Sequence, residues 1–309
     1  MATMVDASNG ATNNKVDDDE SMSKKSSLLL SERMRVATKE VHDQSDKKVN
    51  YKLALVLTSK ELYAEAISLF WPIYKELEDQ LEKHKDHKQL GLLYPLLGVL
   101  RRAKRFEADI ESLVANQSKA DEIKNRRCIG YKTTNTRKAV FDPPELQEYI
   151  DNLRHFSDKD PILLIPYVYA MYGAITAGGT IIKRMVKTAF RLKSDKGVET
   201  FVIDLRGDND EKSQKFANIK AFRNEMKRIL DHDMDLTEDQ KASILKEAPN
   251  VFIRNNALVE TVQGTPIFAT VSRKIWGILG VTAVAFMAVA VTSVKYFSQS
   301  SRSTSTSSH

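Results

Sequence analysis

Arg35, Lys39, His42 and Asp46 are spaced i, i+4, i+7 and i+11. On a helix that spacing places all four along one stripe, beside the apolar face of Met34, Thr38 and Val41. Asp46 then lies one turn beyond His42 and can accept one ring N–H, leaving the other nitrogen for a metal. Arg35 and Lys39 would offer positive charge to carboxylates on the same ligand. Spacing alone favours a plainer reading, a solvated charged face with an incidental histidine. His84 and His87 sit in a Lys-rich helix end and read as solvent-exposed.

A second unusual group is the run from Val168 to Thr180, an apolar helical stretch that carries Gly173, Gly178 and Gly179. Each glycine costs a helix about 1 kcal/mol relative to alanine, so something must compensate. Another helix could pack against the bare backbone, or a kink could let a flat ligand lie against the main chain. The sequence leaves both open.

The elements that would carry these residues are helical throughout. Ser31 to about Lys47 has apolar residues at helical spacing, with Ser31 as N-cap. Ser59 to about Lys85 repeats the pattern, with Pro72 bending it. Leu90 to Val114 is helical but broken near Pro95, and Pro144 opens a short helix to about Phe156. Pro161 to about Leu192 is a long apolar helix ended by Asp195–Gly197. Val198 to Asp210 reads as loop. Helices follow from about Glu211 to Asp231 and from Thr237 to Val262, the last interrupted near Pro249. No alternating pattern predicts a sheet and no repeat is visible.

The 309 residues, 42% of them hydrophobic, suffice for one main domain. The single cysteine, Cys128, excludes an internal disulfide framework and suits a reducing compartment. Ile129 follows it, so no Cys-Pro pair is present. A net charge of +6 fits an anionic surface or ligand, and no nucleic-acid-binding motif accompanies it. Lys124, Arg126, Arg127, Lys132, Arg137 and Lys138 form a basic stretch that reads first as a solvated loop and second as a docking surface.

The two ends differ. Residues 1–28 are polar, lack a signal-peptide core and read as a disordered tail. Residues 29–262 form the helical domain and 263–274 a linker. From Ile275 to Val294 no charge appears, and roughly twenty such residues span a bilayer core of about 30 Å. Trp276 and Tyr296 sit where interface aromatics belong. The expectation is a tail anchor over 275–296, a short polar tail over 297–309, and a cytosolic domain.

Taken together, these residues resemble the haem oxygenase family. Ala37-Thr38-Lys39-Glu40-Val41-His42, preceded by Leu30-Ser31-Glu32, looks like the family's proximal-histidine segment. Tyr169 and Gly178-Gly179 look like its distal helix. Phe222-Arg223 with Met226, and Phe252 with Asn255, look like the helices that close the pocket. The resemblance covers about Leu30 to Val262, and the anchor is similar to that of the animal enzymes. It implies an all-α, multi-helical haem-oxygenase bundle plus one C-terminal transmembrane helix.

The resemblance also implies roles. His42 would ligate haem iron, oriented by Asp46. Arg35, Arg223 and Lys39 would meet the propionates, with Lys220 standing in for a lysine that Ile219 replaces. Tyr169 and Phe252 would border the pocket, and Gly178 and Gly179 would let the distal backbone approach the haem. The family cleaves haem, its cofactor and substrate, with O2 to biliverdin, carbon monoxide and ferrous iron. Electrons come from NADPH through NADPH–cytochrome P450 reductase, biliverdin reductase is a further partner, and the usual address is the endoplasmic reticulum membrane.

One departure bears on activity. Where the family's distal helix has Gly-Asp, this chain has Ala174-Ile175, and Thr180 replaces a usual glutamine. The family's aspartate holds a water network that delivers protons, and isoleucine can neither donate nor accept a hydrogen bond. The expectation is a slow oxygenase or one that makes a mixture of biliverdin isomers. A haem-binding protein that stores, senses or delivers haem is the alternative, and a tail-anchored helical adaptor without haem is a third.

Overall fold

A computed structural model describes residues 28–114, 118–124, 143–206 and 215–262. Most of the N-terminal tail, most of the basic stretch with Cys128, the linker and the expected anchor lie outside the described residues. Within them every regular element is helical.

Helix α1 (Leu30–Val56) starts without a side-chain cap. Ser31, expected as that cap, lies inside the first turn instead. Its N–H and its hydroxyl both donate to Asp231, each at 2.7 Å, across 200 residues of chain. A tertiary carboxylate thus supplies the acceptor that a local cap would have given. The helix runs past Lys47 because Leu53, Leu55 and Val56 find core to bury in.

Helix α2 (Lys60–Lys83) is capped by Ser59, whose hydroxyl accepts the Leu62 N–H at 3.3 Å, and Pro72 lies within it. Its inward stripe of Tyr63, Ile67, Tyr74, Leu77 and Leu81 recurs at helical spacing and is buried. The expected break near Pro95 is a 3-10 segment, Leu90–Leu96, followed by a single turn, α3 (Leu97–Leu100), and α4 (Ala103–Leu113). The start of α4 is capped from α2. The buried carboxylate of Glu78 accepts the N–H of Arg102 and, at 3.0 Å, that of Ala103.

Helix α5 (Pro144–Lys159) begins at its proline. A 3-10 turn, Pro161–Leu164, leads into α6 (Ile165–Phe190). Helix α6 stops before Asp195–Gly197, because Arg191 turns left-handed at φ 53° and Leu192 N–H reaches back to the Lys187 carbonyl at 2.9 Å. The stretch is long and apolar enough to cross a membrane, yet most of it is buried in this domain, as befits a core helix.

The expected loop after Val198 contains a 3-10 turn, Glu199–Phe201. Helix α7 (Ile219–Arg228) begins later than Glu211, at a cap where Asn218 accepts the Ala221 N–H at 2.9 Å. A π-helical turn, Ile229–Asp233, follows it. Helix α8 (Glu238–Glu260) opens with a reciprocal capping box between Thr237 and Gln240 and continues through Pro249 without interruption.

Helices α1 and α8 lie side by side. Lys52 donates to the carbonyls of Glu260 at 3.3 Å and Val262 at 2.7 Å, and Lys48 pairs with the Glu260 carboxylate. These cations sit where the α8 dipole is negative and its carbonyls lack helical partners.

Candidate functional site

His42 projects from the middle of α1. Its Nδ1 lies 3.4 Å from Asp46 Oδ2, as one helical turn allows, and its ring remains half exposed. The opposite neighbour is Phe252 of α8, with ring centroids 5.3 Å apart and planes inclined by 58°. An Nδ1–H directed at Asp46 makes Nε2 the nitrogen open to a metal.

The charged groups of α1 and α7 gather near Tyr169 of α6. Arg35 grips Glu32 through two nitrogens, with Nε 2.9 Å from Oε2. The half-buried Tyr169 phenol is pushed up, first by burial and then by the charge of Asp231. Arg223 pulls it down, Glu32 raises it and Arg35 lowers it. Two guanidinium groups and two carboxylates are therefore near enough to act on the Tyr169 phenol. Lys39 and Lys220 are exposed on the neighbouring surfaces of α1 and α7.

The glycines of α6 divide by environment. A methyl added at Gly173 or Gly178 would meet nothing within 4 Å. At Gly179 it would stand 3.3 Å from Phe201 Cδ1 and 3.8 Å from Ile175 Cγ2. So Gly179 answers the need for close packing, and Gly178 leaves bare backbone facing open space. Ile175 is buried, 7% exposed.

One turn before Ile175, three elements converge on Met171. The Tyr74 phenol of α2 donates to its carbonyl at 2.9 Å. Asn255 of α8 donates to its sulfur at 3.3 Å while accepting from the Tyr149 hydroxyl of α5 at 3.1 Å. Asn255 thus braces α6. Sequence reasoning passed over Tyr74 and Tyr149, and the only local signal was a phenol at a core position, which needs a partner when buried.

His84 and His87 are not simply solvated. His84 Nε2 lies 2.8 Å from Ser157 Oγ, and His87 Nδ1 accepts the N–H groups of Gln89 and Leu90 at 3.3 and 3.2 Å. Both histidines hold local structure at the α2 end. Of the basic stretch, Lys124 is described, and it pairs with Glu111 and Asp121. No cluster of His, Cys, Asp and Glu suited to a bare metal ion occurs among the described residues.

A family model described as Heme oxygenase matches residues 28–261. The chain belongs to the haem oxygenase family. Heme oxygenase 1 of a Nostoc species is 24% identical over 256 residues, covering 79% of this chain and 93% of that protein. Heme oxygenase 1 of Gallus gallus is 27% identical over 238 residues, covering 76% of this chain and 70% of the relative. The Heme-binding protein HMX1 of Saccharomyces cerevisiae is 21% identical over 252 residues, covering 75% of each. The crystal structure of heme oxygenase 2 from Chlamydomonas reinhardtii, without heme, superposes with a TM-score of 0.62 at 24% identity. That match covers 76% of this chain and 98% of that one.

The haem oxygenase match spans every described helix from α1 to α8. His42, Tyr169, Gly178 and Phe252 all lie inside it. Haem is therefore the ligand this fold is expected to take. The apolar Ile175 is likewise internal to the matched domain.

Proposed function

We propose that this protein is a membrane-anchored haem oxygenase, cleaving haem to biliverdin, carbon monoxide and ferrous iron. The observation that carries the reading is His42, held between Asp46 and Phe252 inside a haem oxygenase domain. A flat macrocycle suits the other surroundings as well. Gly178 offers bare backbone beside open space, and Arg35 and Arg223 offer cations at the Tyr169 edge.

In this reading His42 Nε2 holds the iron and Asp46 orients the ring. Arg35, Arg223, Lys39 and Lys220 receive the propionates, and Tyr169 and Phe252 border the substrate. Haem supplies the redox chemistry when bound, with O2 as oxidant and electrons from NADPH by way of NADPH–cytochrome P450 reductase. Arg35 must release Glu32 to take a propionate, an exchange between two exposed ion pairs with little net cost. The segment 275–296 anchors the protein in the endoplasmic reticulum membrane, and the domain faces the cytosol, where biliverdin reductase can take the product.

Ile175 sets the limit of the activity. A buried isoleucine cannot order water for proton delivery, so turnover is slow or the product is a mixture of isomers. The same residue favours a second reading, a haem-binding protein that does not degrade its ligand.

The test loads the full-length protein, in detergent, with hemin and adds NADPH and the reductase. Loss of the Soret band with biliverdin appearing, both abolished by His42→Ala, is the expected result. A stable Soret band that never yields pigment would establish the second reading. Absence of any hemin spectrum in the native chain would refute both.

A further inference from the structure

Asp109 of α4 is 1% exposed. Its Oδ1 accepts the Glu199 N–H at 2.7 Å, and its Oδ2 accepts the Thr200 N–H at 2.8 Å. These amides open the 3-10 turn Glu199–Phe201, which has no side-chain cap of its own. One residue further on, Phe201 closes on Gly179 of α6, with Cδ1 3.3 Å and Cβ 3.6 Å from the place a Cβ would occupy. The path from carboxylate to glycine is contiguous: Asp109, the turn, Phe201, Gly179.

We propose that Asp109 is a positioning residue for α6: its carboxylate holds the Glu199–Phe201 turn, and through Phe201 the turn sets where Gly179 and Gly178 lie. This rests on the haem pocket proposed beside Gly178. The two amide bonds favour the ionised carboxylate and burial disfavours it, so the hold on the turn depends on protonation.

Burial pushes the Asp109 carboxyl up to about 6, hydrogen bonds from Thr200 and Glu199 draw it down, and the Glu199 carboxylate adds to the rise. The Tyr63 phenol of α2 also feels the charge of Asp109. A raised acid binds its proton more tightly in the closed turn than in an opened, solvated one. The resulting stabilisation is complete below the ordinary aspartate value and is lost as pH rises to about 6. Because burial outweighs the amide bonds, the closed turn is favoured at acid pH and loosens as the carboxyl ionises toward about 6.

Hydrogen exchange on the full-length, haem-free protein tests this, with rates corrected for intrinsic pH dependence. In the native chain, exchange of residues 198–202 and of residues 171–182 should rise by up to about tenfold per pH unit from about 4.5 to about 6, then level off. Asp109→Asn should make both segments independent of pH over that range. Phe201→Leu, which keeps the carboxylate, should leave the pH response in 198–202 and remove it from 171–182.

In the haem-loaded, carbon monoxide-bound protein, Phe201→Leu should also shift the C–O stretch, which reads the space above the iron. A native chain with no pH response, an Asp109→Asn chain that keeps it, or an unmoved C–O band would each overturn the proposal. If the native chain binds no hemin, the functional reading fails while the exchange experiment still decides the role of Asp109.

Discussion

The Tyr74 phenol donates a 2.9 Å hydrogen bond to the Met171 carbonyl, joining α2 to α6 one turn before Ile175. Both residues are buried, so water cannot replace that bond. It pins the backbone of α6 just ahead of the segment that carries Gly178. Tyr74→Phe removes the donor and keeps the ring, and should lower unfolding free energy by about 1 kcal/mol. Urea denaturation with unchanged m-value checks it, and a loss under a few tenths would mean the carbonyl is satisfied within the helix.

Gly178 and Gly179 should respond oppositely to alanine. Gly178→Ala projects its methyl into open space, so it should stabilise the haem-free protein by up to about 1 kcal/mol through helix propensity. Hemin affinity should fall, because the methyl enters the proposed pocket. Gly179→Ala must push Phe201 aside by a few tenths of an ångström, which offsets the propensity gain. Thermal melts with and without hemin separate the two, and equal behaviour would remove the distinction.

Ile175→Asp should improve chemistry at the expense of stability. A carboxylate can order water where isoleucine cannot, so pigment should form faster and with fewer isomers. The site is buried against Gly179, and placing an unpaired polar group there costs on the order of 1–3 kcal/mol. Chromatography of the bile pigments and a thermal melt read the two effects. A faster melt with no change in pigment would show that the absent aspartate is not what limits the reaction.

His84 should make stability sensitive to acid. Burial, then the charges of Lys83 and His87, hold it below the ordinary histidine value. Ser157 gives its hydroxyl proton to Gln80, so His84 Nε2 acts as donor to Ser157 Oγ. As pH falls through the ordinary histidine value, the unfolded chain takes up this proton first. Stability present above that value is therefore lost as pH drops toward the folded one. His84→Gln should flatten the fall in melting temperature on acidification below about 6.5. An unaltered slope would assign the acid sensitivity to other groups.

Local pattern carried most of the helix plan. Periodicity and caps marked α2, α5, α6 and α8 closely, because they depend on neighbours three and four residues away. The histidine stripe and the glycine-bearing helix were legible for the same reason. The N-terminus of α1 and the start of α7 were not, since Ser31 is held by Asp231 from 200 residues away and residues 215–217, just before the Asn218 cap, are non-helical.

Only the tertiary path decided which glycine packs and which faces open space, and which atoms brace α6. Tyr74 reaches Met171 over 97 residues, and Asp109 reaches Thr200 over 91. Such contacts leave no periodic trace. A tyrosine or aspartate at a core position states that a partner is needed, because burying a polar group unpaired is costly, and the folded chain alone determines who that partner is.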